Sequence, residues 1–95
     1  MARYQVIYWR EIPSSVEAFE NAETFRLPLS PRFQELIDIV AMKVSATEVE
    51  SYLDGWRQGP VASREGSAEA VAREVAAEIE ASYPVLREQH LSNSS

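Results

Sequence analysis

SPRFQELIDIVAMKV, residues 30–44, is the stretch on which the fold turns. Ser30 offers a hydroxyl to the free amides of a helix start, and Pro31 at the first helical position gives up no hydrogen bond. Phe33, Leu36, Ile37, Val40, Ala41 and Val44 then recur at i, i+3, i+4 and i+7 spacing, so all six share one stripe facing a core. Such a stripe needs a second layer to cover it. RYQVIYWR, residues 3–10, supplies one. Tyr4, Val6 and Tyr8 alternate with Gln5, Ile7 and Trp9, as a pleated strand requires. Both of its faces carry large apolar groups, which predicts a central strand or one face covered by a partner.

Between these segments, Ile12-Pro13 predicts the end of the first strand. The alternation of Ser15, Glu17 and Phe19 with Val16, Ala18 and Glu20 predicts a short second strand, and Asn21 favours a turn. Phe25 and Leu27 extend or repeat that pairing, while Pro28 and Pro31 confine any strand here to an edge or an early end. Beyond the helix, Thr47 and Glu50 fit a capping box, and Val49, Tyr52, Leu53 and Trp56 recur at helical spacing up to a stop at Gly55. Residues 56–63 read as a third strand interrupted by a bulge at Gly59-Pro60. Ser67 caps a last long helix whose inner face is Ala68, Val71, Ala72, Val75 and Ile79, with Glu69 and Arg73 as an i, i+4 pair outside. Pro84 divides that helix, leaving residues 85–91 as a short tail helix and 92–95 as a frayed end. The expectation is one α+β domain over residues 1–95. A small antiparallel sheet of about three strands packs against helices in the order β-β-α-α-β-α.

The absence of cysteine excludes disulfides, thiolate metal sites and a cysteine nucleophile. MARYQVIYWR has no uninterrupted apolar run, so neither a signal peptide nor a membrane anchor is expected, and the protein should stay in the cytoplasm. Nine basic and fifteen acidic residues give a net charge of −6, which repels a phosphate backbone and argues against nucleic-acid binding. Lys43 is the only lysine. The remaining cations are arginines, whose planar forks permit local anion contacts.

Candidate chemistry is sparse. His90 is the only histidine and stands near the C-terminus, where a solvated surface role accounts for it. A triad written from Ser63 or Ser67, His90 and an acid lacks any nucleophile-elbow motif. The acidic groups Glu48, Glu50 and Asp54, and Glu74, Glu78 and Glu80, are read as solvated helix faces, and no metal or cofactor is expected. The best candidate site is Tyr8, Trp9, Arg10, Trp56 and Arg57, because two Trp-Arg dipeptides meet if the first and third strands pair. Stacked indole and guanidinium suit a flat or anionic small ligand and equally suit a protein interface. The plainer reading is that both tryptophans are core and both arginines cover them with their stems. Ile39 and Met42 lie almost opposite the core stripe of the first helix, at about 100° per residue. Cover by the last helix explains them as well as a homodimer contact does.

Three stretches, MARYQVIYWREIPSSV (residues 1–16), LSPRFQELIDIVAMKVSATEVESYLDGWRQG (29–59) and REGSAEAVAREVAAEIEASY (64–83), together resemble the small bacterial virulence-factor domain family. YWREIP, SPRFQELID with AMK following, YLDGWRQG and EGSAEAVA are the most specific pieces, and AETFRLPL departs from the pattern. The resemblance implies a bacterial cytosolic protein, found alone or as the end domain of larger virulence-associated proteins. It also implies an association with folate and corrinoid one-carbon metabolism, but no catalytic residues. Two readings follow. One is a non-enzymatic interaction or accessory module with a protein partner or a second copy. The other is a small-ligand or enzyme-accessory protein that uses the Trp-Arg cluster toward an anionic one-carbon cofactor.

Overall fold

The computed structural model describes residues 1–43 and 49–91, which form five strands and four helices. β1 (Ala2–Trp9), β2 (Ile12–Glu20) and β3 (Glu23–Pro28) make an antiparallel meander. α1 (Pro31–Lys43) and α2 (Val49–Asp54) lead to two short strands, β4 (Trp56–Gln58) and β5 (Ala62–Arg64), and then to α3 (Ala68–Ala81) and α4 (Tyr83–Leu91). The sheet runs β3-β2-β1-β4, with β5 also pairing β1. β1 is therefore central, as its two apolar faces predict.

The α+β class stands, but the sheet has five strands in place of about three, the order is β-β-β-α-α-β-β-α-α, and two local readings are corrected. Ile12-Pro13 is not what ends the first strand, which stops at Trp9. It opens β2 directly after a tight turn in which Arg10 takes a left-handed φ of 55°. Pro13 is tolerated because the register with β1 shifts beside it: Ile7 pairs with Ser15 and Tyr8 with Pro13, leaving Ser14 as the extra residue of a bulge. A missing N–H is least costly where the ladder is already interrupted. The second correction concerns residues 56–63, which form two three-residue strands on one edge of β1 instead of one bulged strand. Gly59 sits between them and donates its N–H to the Val6 carbonyl at 2.8 Å. A Cβ on Gly59 would lie 2.8 Å from the Tyr8 ring, so the close approach requires glycine. Asn21 turns the second hairpin with φ 56°, and the AETFRLPL segment supplies a full third strand.

The bulge also divides the core. Tyr4 opposes Ala18 and Val6 opposes Val16, while Val16 and Ala18 oppose Leu27 and Phe25, so these side chains share one face of the sheet. Val71, Ala72, Val75 and Ala76 of α3 pack onto that face. Ser67 caps α3 by accepting the Ala70 N–H at 3.2 Å. Past Ser14 the parity of β2 switches, and even-numbered Ile12 comes to oppose odd-numbered Trp9. That pair packs with Leu36, Ile37, Val40 and Ala41 of α1 in a second cluster. Phe33, one turn earlier on α1, belongs to the first cluster, so α1 bridges the two. The predicted helix stripe is thus the buried one, except that Val44 lies outside the described residues. The Thr47–Glu50 capping box and the 92–95 tail also fall outside them. Ser82 ends α3 at the point Pro84 predicts, and α4 begins at Tyr83.

Candidate functional site

The Trp-Arg seam forms because β1 and β4 pair, setting Trp9 opposite Trp56 and Tyr8 opposite Arg57. Trp9 is fully buried, and its indole N–H donates to the Tyr52 carbonyl at 2.7 Å. Its ring lies 5.7 Å from that of Tyr52, which in turn meets Trp56 edge-on at 6.0 Å. Gly55 holds α2 against this indole: a Cβ there would come within 2.5 Å of Trp9 Nε1. The Gly55 carbonyl also accepts the Arg10 N–H at 2.7 Å. Trp9 is therefore a packed and satisfied core residue, while Trp56 and Tyr8 are half-buried.

Both arginines are exposed and lie over the aromatic seam. The Arg10 guanidinium stands 5.1 Å from the Trp9 ring centroid and that of Arg57 stands 4.5 Å from Tyr8. Arg57 Nε donates to the Arg10 carbonyl at 2.8 Å, which ties the β1–β2 turn to β4. A shallow groove beside them is lined by Arg10, Glu11, Asp54, Gly55 and Arg57. With two carboxylates beside two guanidiniums, this groove is of mixed charge. Cation–π contact holds the arginine heads over the rings while leaving N–H donors on an exposed rim.

Two ionic clamps escape a reading of the sequence. Arg64 of β5 donates to Glu74 and Glu78 of α3 at 2.7 Å each, closing the sheet edge against the helix. The hydrogen bond from Arg64 holds the Glu78 carboxyl below the usual range, although desolvation opposes it. Glu80 reaches the N-terminus of α1, where it accepts the Ser30 N–H at 2.7 Å, the Ser30 hydroxyl at 2.8 Å and Arg32 Nη2 at 2.9 Å. Burial pushes the Glu80 carboxyl up, but these donors outweigh it and hold it below the usual range. Glu74, Glu78 and Glu80 are accordingly partners in fixed contacts, not a merely solvated face. Ser30 does begin α1, yet its hydroxyl is spent on Glu80. The i, i+4 spacing of Glu74 and Glu78 hints only that those two share a helix face, and nothing local names partners so distant in sequence.

Ile39 and Met42 remain 42% and 71% exposed. α4 crosses the end of α1, with Lys43 Nζ donating to the His90 and Leu91 carbonyls, but it does not cover those two side chains. The Ser67 hydroxyl is committed to its cap. Among the described residues, no three His, Asp or Glu side chains gather to hold a metal ion, and no helix is long and apolar enough to cross a membrane.

The model of the virulence-factor family matches residues 7–91, a span that includes both Trp-Arg dipeptides, α1 and α3. The chain belongs to that family. Compared with the curated proteins and with solved structures, it matches none.

Proposed function

We propose that this member of the virulence-factor family is a cytoplasmic, non-enzymatic interaction or accessory module that docks a protein partner through the outer face of α1. The observation that carries the proposal is the exposure of Ile39 and Met42 on a helix whose opposite stripe is sealed. Large apolar side chains left open beside a complete core mark a contact surface more readily than they serve stability. On this reading the seam of Tyr8, Trp9, Arg10, Trp56 and Arg57 is a rigid buttress, and Arg10, the terminal N–H groups of Arg57 and the outer edge of Trp56 form a polar rim. The direct test places a photo-crosslinking amino acid at position 42 in the native host. A discrete adduct identified by mass, lost with Ile39→Ser, supports the module. Absence of any adduct overturns the α1 face.

The rival is a small anionic ligand, of the folate or corrinoid class, held at Arg10 and Arg57. It draws support from two exposed guanidiniums over aromatic rings. Against it stand Glu11 and Asp54 in the same groove and the commitment of Arg57 Nε to a backbone carbonyl. A ligand that binds the native state raises its melting temperature. A clear upward shift with folates or corrinoids, abolished in Arg57→Ala, would move the reading to this alternative.

A further inference from the structure

The two edges of the sheet are built differently. On the β1 side, the outer strands are three residues each and are separated by Gly59-Pro60-Val61, which breaks any continuous ladder. On the other side, β3 is six residues long, and no described strand lies beyond it. Short or interrupted edges resist further pairing, whereas a continuous one is a template for it.

The hairpin register says which groups β3 offers. Glu20 and Glu23 close the two-residue turn, so the hydrogen-bonded pairs alternate from there through Ala18–Phe25 and Val16–Leu27. The Leu29 N–H to Ser14 carbonyl bond, 3.0 Å, continues the alternation. The N–H and C=O groups of Thr24 and Arg26 therefore point away from β2. Pro28 has the same outward parity and has no N–H to offer, so the open ladder is confined to Thr24 and Arg26.

We infer that β3 pairs antiparallel with β3 of a second copy, about a two-fold axis through Phe25, to give one continuous sheet across a homodimer. Three registers keep the outward groups facing each other. Centring on Arg26 opposes that arginine to itself and Thr24 to a proline without a donor. Centring on Thr24 sets Arg26 against Ala22 in the turn. Centring on Phe25 opposes Thr24 to Arg26 in both directions, so every outward N–H finds a carbonyl, and Pro28 falls opposite the turn, where no ladder bond is needed. An isologous contact of this kind is closed and self-limiting. Arg26 also brings no unpaired charge to the axis, because its guanidinium lies 3.4 Å from Glu17 of its own copy. On the other face, half-buried Phe25 meets its twin as a directly opposed aromatic pair. α3 lies over β1, β2 and β3, centred on β2, so at a strand spacing of about 4.8 Å the two α3 helices stand about 14 Å apart and do not obstruct the pairing.

This inference extends the interaction-module reading without resting on the α1 face, and the experiment separates the two. Native mass spectrometry and sedimentation of the full chain, from low micromolar concentration upward, are expected to show a dimer. Arg26→Pro removes an outward donor and no bond to β2, so it is expected to give a monomer with an unchanged circular dichroism spectrum. The Ile39→Ser, Met42→Ser double variant stays dimeric. Should Arg26→Pro fail to fold, hydrogen exchange on the unaltered protein replaces it: Thr24 and Arg26 amides are expected to gain protection as concentration rises. A wild-type monomer throughout, a dimer that survives Arg26→Pro, or amides that exchange freely at every concentration would each overturn the β3 assignment.

Discussion

The cluster around Trp9 and the cluster under α3 are made on opposite rules of size. The first is filled by one large indole, closed on one side by Gly55, whose hydrogen atom is all the space permits. In the second, the helix side is made small: Ala68, Ala72 and Ala76 bring the α3 axis down onto Val6, Val16 and Ala18, with Phe33 and Leu29 at its edge. The difference teaches that one half of the core depends on a single side chain, and the other on the absence of bulk along a helix. Both are made of buried side chains, so neither absorbs a change in volume without cost.

The largest effect is expected where the single side chain is removed. Trp9→Ala deletes a fully buried indole and should cost about 3–5 kcal/mol. That is much of the roughly 5–15 kcal/mol typical of a whole domain. Urea denaturation should show the midpoint collapse, and a loss under about 1 kcal/mol would mean that the Trp9 cluster does not behave as a packed core. Next come two additions of volume. Ala72→Leu under α3 and Gly55→Ala against the indole should each destabilise by about 1–3 kcal/mol, read from the same denaturation curves. If Ala72→Leu were neutral, the close approach of α3 would not be a constraint, and the contrast between the clusters would dissolve. Ser67→Ala removes the cap of α3 and should cost about 1 kcal/mol, with the loss visible in thermal melts.

The smallest effect is one of pH. The folded-state carboxyl of Glu80 is held below its unfolded value, so its stabilisation is present in full above the unfolded pKa and is lost as pH falls through the folded one. Melting temperatures taken at pH 7 and at about pH 3.5, below the ordinary glutamate range, should fall less in Glu80→Gln than in the unaltered protein. Equal falls would show that the contact with Ser30 and Arg32 carries no linkage.

The parts of this fold that are legible in the sequence are those set by short-range periodicity. The α1 stripe, the Ser67 cap, the break at Pro84, the Asn21 turn and the alternation of β1 all follow from spacings within a few residues. The pairing of the two Trp-Arg dipeptides is also legible, because β1 and residues 56–58 are each strand-like, and one dipeptide closes β1 while the other opens β4. What stayed hidden depends on position across the sheet. Pro13 reads as a stop because a bulge at Ser14 cannot be seen in a single strand. Trp9 reads as core on the plainer reading and as a ligand platform on the other, and the choice for core rests on Gly55, distant in sequence. Glu74 and Glu78 are solvent-facing as read, but the partners of the α3 acids stay hidden, because Arg64, Ser30 and Arg32 approach them only after the chain has folded back. For Ile39 and Met42, spacing placed them opposite the core stripe, and only the packing of α4 shows that this helix leaves them open.

The Glu80 contact has a consequence for the order of folding. β1, β2 and β3 are joined by tight turns and meet through neighbouring segments, so they can associate early at little cost in loop closure. Ser30 and Glu80, by contrast, are separated by 50 residues. The N-terminus of α1 is therefore expected to obtain its carboxylate only when α3 arrives, after the meander is in place. Changes at Glu80 should then speed unfolding while leaving the refolding rate nearly untouched, making this carboxylate a latch on the lifetime of the native state and not a part of its nucleus.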